Sequence, residues 1–265
     1  MSIFKFFKKQ ESKKIVVSGT MDNASSKTNN EESTNKTMEV KKQEQTKENA
    51  ENVKVFNLII LDQSGSMQSI YAPALSGVNE TLQTIRLANE DHPEQDHYVT
   101  LVAFDGLPQE GLRYNLIYGS IPATEIKDIS SSQYRPYGNT PLFDAMGKAI
   151  NELRDKAKEN DVVLVTVITD GYENASIEYS GVAIKSLVEE MRKKGWVFTY
   201  IGANQDVDKV ADSMSINNRM AFQASYEGTK AMFAKERMSR GKFFEKVSHR
   251  NSMSKEDFEE NFFED

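Results

Sequence analysis

Residues 58–67 read LIILDQSGSM. A run of aliphatic residues, extending back through KVFNLIIL at 54–61, ends in a carboxylate and two hydroxyls placed on either side of a glycine. Nearly continuous β-branched and aliphatic residues mark a strand covered on both faces, as in a parallel sheet with helices above and below. Asp62 therefore stands where such a strand gives way to a loop. It could be a phosphate acceptor, the start of a catalytic site, a metal ligand or a helix cap, and each role requires different companions elsewhere.

Working outward, the same strand signature recurs at 97–104 (HYVTLVAF), 112–118 (LRYNLIY), 162–169 (VVLVTVIT), 196–202 (WVFTYIG) and a short 219–223. Helical spacing links Leu75, Val78, Leu82 and Ile85, then Leu142, Met146, Ala149 and Leu153, then Ile184, Leu187 and Met191. Gly195, after Lys193 and Lys194, reads as a helix stop that passes the chain to the strand at Trp196. Strands alternating with helices imply right-handed crossovers, hence a mostly parallel, doubly wound sheet with helices on both faces. The link between 97–104 and 112–118 is too short for a helical crossover, so one edge strand should run antiparallel.

The 265 residues exceed one such domain. Residues 1–52 are polar and are expected to be disordered, because they cannot bury enough surface to offset the entropy of ordering. At their start, Ile3, Phe4, Phe6 and Phe7 among Lys5, Lys8 and Lys9 read as a frayed aromatic end, or as a weak membrane-surface anchor within residues 1–9. The domain is expected over 53–223 and a charged helical extension over 224–265, with Phe233, Phe243, Phe244 and Val247 leaning on the domain. The closing EDFEENFFED reads as a solvated tail, or as a docking peptide. A net charge of -7 gives no overall electrostatic footprint for nucleic acid. With no cysteine, thiolate chemistry and disulfides are excluded. A soluble cytoplasmic protein is the expectation.

Three loops carry the chemistry. In an open parallel sheet, ligands collect at the carboxyl ends of strands where the strand order reverses. Asp62, Ser64 and Ser66 follow the first strand, Asp170-Gly171 follows the strand at 162–169, and Thr140 lies in Gly138-Asn139-Thr140-Pro141-Leu142 ahead of a helix. If the two strands are central neighbours, the loops converge. Two carboxylates and three hydroxyls, with no imidazole, form a hard oxygen set that suits Mg²⁺, or Mn²⁺ and Ca²⁺, better than zinc. Gly65 would let Ser64 and Ser66 turn toward one ion.

DQSGS, GNTPL and TDG resemble the metal-ion-dependent adhesion site of von Willebrand factor type A domains, in order and in strand-loop-helix context. The resemblance implies a Rossmann-like six-stranded fold. It also implies that Ser64, Ser66 and often Thr140 touch the ion, that Asp62 and Asp170 hold it largely through waters, and that a partner's Asp or Glu completes the shell. GNTPLFDAM, TDGYEN and the absence of cysteine are most similar to the cytoplasmic bacterial branch of that family. Asn139, Tyr172, Glu173 and Asn204 read as solvated loop residues or as a rim; Asp105 as a turn cap; Asp144 as a carboxylate favouring its helix dipole.

The functional expectation is a non-enzymatic, metal-dependent adaptor that captures an acidic residue of another protein. The alternative is a Mg²⁺-dependent phosphohydrolase on the same site, with Asp62 as nucleophile. Against it, the second acid usual two residues on is replaced by Ser64. His97 opens a strand and His92 sits at the opposite end of the fold, so neither should serve a serine nucleophile.

Overall fold

The computed structural model describes residues 51–264. Nearly all of the polar N-terminal segment, including its aromatic start, lies outside the described residues. Six strands, β1 (Val53–Asp62), β2 (Gln95–Leu107), β3 (Gly111–Pro122), β4 (Val162–Thr169), β5 (Val197–Gly202) and β6 (Asn218–Ala221), form one sheet in the order β3-β2-β1-β4-β5-β6. Only the β2–β3 pair is antiparallel; every other pair is parallel. β1 and β4 are central neighbours on either side of the point where the strand order reverses.

Among the described residues six α-helices accompany the sheet: α1 (Tyr71–Asp91), α2 (Leu142–Arg154), α3 (Gly181–Lys193), α4 (Val207–Ser213), α5 (Tyr226–His249) and α6 (Lys255–Glu259). The alternation of side chains along β1 feeds two cores. Val55, Ile59 and Leu61 pack with Val78, Leu82 and Ile85 of α1 and with Phe233, Phe243, Phe244 and Val247 of α5. Phe56, Leu58 and Ile60 pack on the other face with Leu142, Met146 and Ile150 of α2, Ile184 and Val188 of α3, and Ala211 of α4. The predicted stop at Gly195 is realised, with φ of 86° and its N–H donating to the Arg192 carbonyl at 2.9 Å.

α5 packs against α1, and closely. A methyl group at Gly77 of α1 would sit 2.1 Å from the Phe233 ring, so only glycine allows this seat. Beneath α5 lies a buried polar network. Arg240 donates to Glu236 of the same helix at 2.7 Å, to Asn57 of β1 at 2.8 Å and to Thr166 of β4 at 2.9 Å; Thr81 of α1 donates to the second oxygen of Glu236 at 2.9 Å. Both charged side chains are fully buried.

The closing residues do not form a solvated tail. Phe262 and Phe263 are buried, and Phe262 packs on Phe243. Asn218 of β6 holds this segment from both sides, donating to the Glu259 carbonyl at 2.8 Å and accepting the Phe262 N–H at 3.0 Å. Glu256, Asp257 and Glu264 are exposed around these aromatics, which is why the segment's average polarity misrepresents it.

Candidate metal centre

β1 ends at Asp62, and Gln63 then bonds to the neighbouring strand through its N–H, which donates to the Phe104 carbonyl at 2.7 Å. A 3-10 turn follows over Gly65–Ile70, pinned by buried Met67 and Ile70. The left-handed residue of the cluster is Gly138, with φ of 79°, and not Gly65, which lacks a positive φ. The Gly65 N–H donates to the Gly138 carbonyl at 2.9 Å, and a methyl group on Gly138 would lie 2.3 Å from the Gly106 oxygen. Two backbones meet at Gly138, and only glycine fits there.

Asp62 is fully buried, with both oxygens engaged. One accepts the Ser64 N–H at 2.6 Å and the other the Thr169 hydroxyl at 2.6 Å. The hydroxyls of Ser64 and Ser66 lie 3.2 Å apart, and Ser66 donates to one oxygen of Asp170 at 2.5 Å. The second Asp170 oxygen is buried without a hydrogen-bond partner among the described residues. A methyl group on Gly171 would lie 3.4 Å from the Ser66 hydroxyl and 3.5 Å from that of Thr140, which brings the third loop to the same place. All of the sequence-selected residues Asp62, Ser64, Ser66, Thr140 and Asp170 thus gather at the carboxyl edge of β1 and β4.

Burial pushes the Asp62 carboxyl up to about 6, partly offset by the Thr169 and Ser64 hydrogen bonds, with the Asp170 charge adding a smaller upward push. Asp170 is likewise raised, chiefly by burial. Two desolvated carboxylates side by side favour a positive charge between them. Among the described residues no group of three or more His, Cys, Asp or Glu side chains gathers to hold a metal. The set here is two carboxylates with three hydroxyls, and its hard oxygens, one of them an orphaned buried carboxylate oxygen, fit a small divalent cation.

Several supporting residues have roles other than those the sequence suggested. Glu173 is no solvated rim residue; it accepts the N–H groups of Phe143, Ala175 and Ser176 at 2.7–2.9 Å. Asp144 accepts the N–H groups of Ile177, Glu178 and Tyr179, tying the segment after Asp170 to α2. Asn204 donates to the Asp170 carbonyl at 3.1 Å. Asp105 lies within β2, fully buried and paired with Arg113. Asn174 and Thr169 were not singled out. Asn174 fixes Thr140 by accepting its N–H at 2.8 Å, and only Thr169's place in TDG could have marked it.

The fold and this cluster define a doubly wound α/β domain with an oxygen-lined site at its switch point. The family profile of the von Willebrand factor type A domain matches residues 58–235, and the chain belongs to that family. Domains of this family are generally protein-interaction modules. Similar solved structures include proximal thread matrix protein 1 from the mussel byssus, with 16% identity, 69% of this chain and 46% of that chain covered, and a TM-score of 0.50. A von Willebrand factor type A protein from Catenulispora acidiphila gives 16%, 69%, 42% and 0.43 for the same quantities. Manganese-loaded TRAP protein from Plasmodium vivax gives 18%, 68%, 71% and 0.43. The chain spans less than half the length of the first two. At these identities the likeness concerns the fold alone. Comparison with curated proteins gave no match.

Proposed function

We propose that the chain is a metal-dependent protein-binding module, a bacterial cytoplasmic adaptor that captures an aspartate or glutamate of a partner protein. Asp62, Ser64, Ser66, Thr140 and Asp170 would hold Mg²⁺, with Mn²⁺ or Ca²⁺ as substitutes. The ion supplies a positive centre that a carboxylate oxygen of the partner can join. The observation that carries this reading is the buried Asp170 oxygen without a partner, set among hydroxyls from two further loops. A buried acceptor left unsatisfied costs about 1–3 kcal/mol, which a cation would recover.

The phosphohydrolase alternative is less well supported. A nucleophilic carboxylate must be reached by the phosphorus it attacks, yet Asp62 is fully buried, and a serine stands at position 64 where the second acid would be. His97 pairs in register with Val55 at the start of β1, the end of the strand opposite the cluster. It lies against Gln95, too far along the sheet to serve as a base for Ser64 or Ser66.

Titration calorimetry with Mg²⁺ and Mn²⁺ tests the site. Replacing Ser64 and Ser66 together with alanine should weaken metal binding at least about tenfold while the far-ultraviolet circular dichroism stays unchanged. Normal binding by the double variant would refute the ligand assignment. A pull-down from cells in Mg²⁺ and in chelator, with Asp62→Ala as control, tests capture. A partner retained equally in chelator would count against metal-dependent binding.

A further inference from the structure

Beside the cluster, between the ends of β2 and β3 and the segment 132–137, opens a cavity of about 530 Å³. Its wall is continuous with the candidate metal loop, because Gln63 stands between Asp62 and Ser64 and belongs to both. The Gln63 carbonyl accepts the Tyr137 N–H at 2.8 Å. Its side-chain amide donates to Asp105 at 2.9 Å, and its side-chain oxygen accepts the Arg135 N–H at 3.1 Å. Any chain segment that reached the cluster from this side would pass over the cavity.

The cavity is cationic. Asp105, fully buried, is engaged by Gln63 and forked by Arg113, whose side chain is 43% exposed. The Arg113 guanidinium lies 5.6 Å from the ring centroid of Tyr137, an exposed residue, and Glu110 is near enough to add to its field without an ion pair. Arg135 is exposed; its Nε donates to the Ser131 carbonyl at 3.3 Å, and the guanidinium has no acidic partner among the described residues. Among the side chains that line the cavity, which do not include Glu110, Asp105 balances Arg113, so Arg135 supplies the excess charge. In a chain of net charge -7, a positive hollow adjoining the only oxygen-lined loop cluster described here selects acidic partners locally, against the general repulsion.

We propose that this cavity is a second subsite for an acidic peptide segment, receiving a second carboxylate on Arg135 beside Arg113 and Tyr137 while the first occupies the metal centre. The proposal rests on metal-dependent capture as stated above. An arginine fork binds a carboxylate through two parallel hydrogen bonds. Two carboxylates on one short segment bind as linked contacts, so the second gains from the high effective concentration set by the first. The recognised feature is therefore a pair of acidic residues at one preferred spacing.

The test uses the full chain and fluorescent peptides that carry one fixed aspartate and, at a range of spacings, either glutamate or glutamine, titrated by polarisation in Mg²⁺ and in chelator. At the preferred spacing glutamate should bind about tenfold more tightly than glutamine. Arg135→Glu should abolish that gain while Mg²⁺ affinity measured by calorimetry is unchanged, and Arg135→Lys should restore part of it. Arg135 is exposed, so these variants leave the fold intact; Arg113 is left alone because its loss would strand buried Asp105. Mg²⁺-dependent binding with equal affinity for glutamate and glutamine at every spacing, or a gain that survives Arg135→Glu, overturns the subsite and leaves capture standing. Peptides that bind equally in chelator, or not at all, overturn capture and the subsite together.

Discussion

Arg240 and Asp170 are both buried charges on the same sheet, one under its middle and one at its carboxyl edge, and their surroundings differ. Every nitrogen of the Arg240 guanidinium has an acceptor, and the Glu236 carboxylate it meets has both oxygens bonded. Asp170 has one oxygen bonded and one without a partner among the described residues. A fully satisfied buried network fixes one packing of helix on sheet. A cluster that keeps an open acceptor retains a place for something that arrives later. The difference separates polar residues that hold the fold from those poised for a ligand, although Asp170 is buried as Arg240 is and only Ser66 of its cluster is exposed.

The largest expected effect lies in the closed network. Arg240→Ala leaves Glu236 buried and uncompensated, and should cost about 3–5 kcal/mol in urea unfolding. Replacing both partners, Arg240→Met with Glu236→Leu, should recover most of that loss. A double variant as unstable as the single would mean that the network matters for more than mutual neutralisation.

A smaller effect should come from acid. His97 is buried beside this network, and burial first, then the charges of His92 and Arg240, hold its imidazole down to about 3 from 6.5. The unfolded chain takes up a proton below about 6.5 while the folded one stays neutral until about 3, so stability is present above 6.5 and falls with pH through this window. The loss should reach about 2 kcal/mol by pH 5. Denaturation at pH 7 and pH 5 checks it, with His97→Gln expected to flatten the difference. An unchanged slope in that variant would assign acid sensitivity to other groups.

The open cluster should give the smallest stability change, and of opposite sign. Burial raises the Asp170 carboxyl, so its ionised form is disfavoured in the fold. Asp170→Asn should melt in chelator at the same temperature as the parent or slightly above it, yet lose the stabilisation that Mg²⁺ gives the parent. A variant that melts well below the parent in chelator would place Asp170 with Arg240, among the residues that hold the fold.

The strands of the central sheet were legible because coverage on both faces writes long apolar runs, and the site because three loops each end a strand or start a helix with oxygen-bearing residues. Asp105 could have been read further, since a hairpin that pairs 97–104 with 112–118 brings it opposite Arg113. Asp144 could not, because its partners at 177–179 lie across a loop whose path only the folded chain defines. Asn57, a lone amide within an apolar strand, was the one trace of the Arg240 network. The role of Phe262 was hidden by the charges around it, and its burial against Phe243 and its hydrogen bond to Asn218 reveal it.

The bond from Arg240 to Asn57 joins residues 183 apart along the chain. During synthesis at roughly 5–20 residues per second, the central strand would wait on the order of 10–40 s for the helix that closes over it. Throughout that interval the apolar surface that α5 covers and the Asn57 side-chain oxygen stay open to other nascent chains and to chaperones. The residue that closes the polar network is thus also one that sets how long the ribosome-bound chain remains vulnerable.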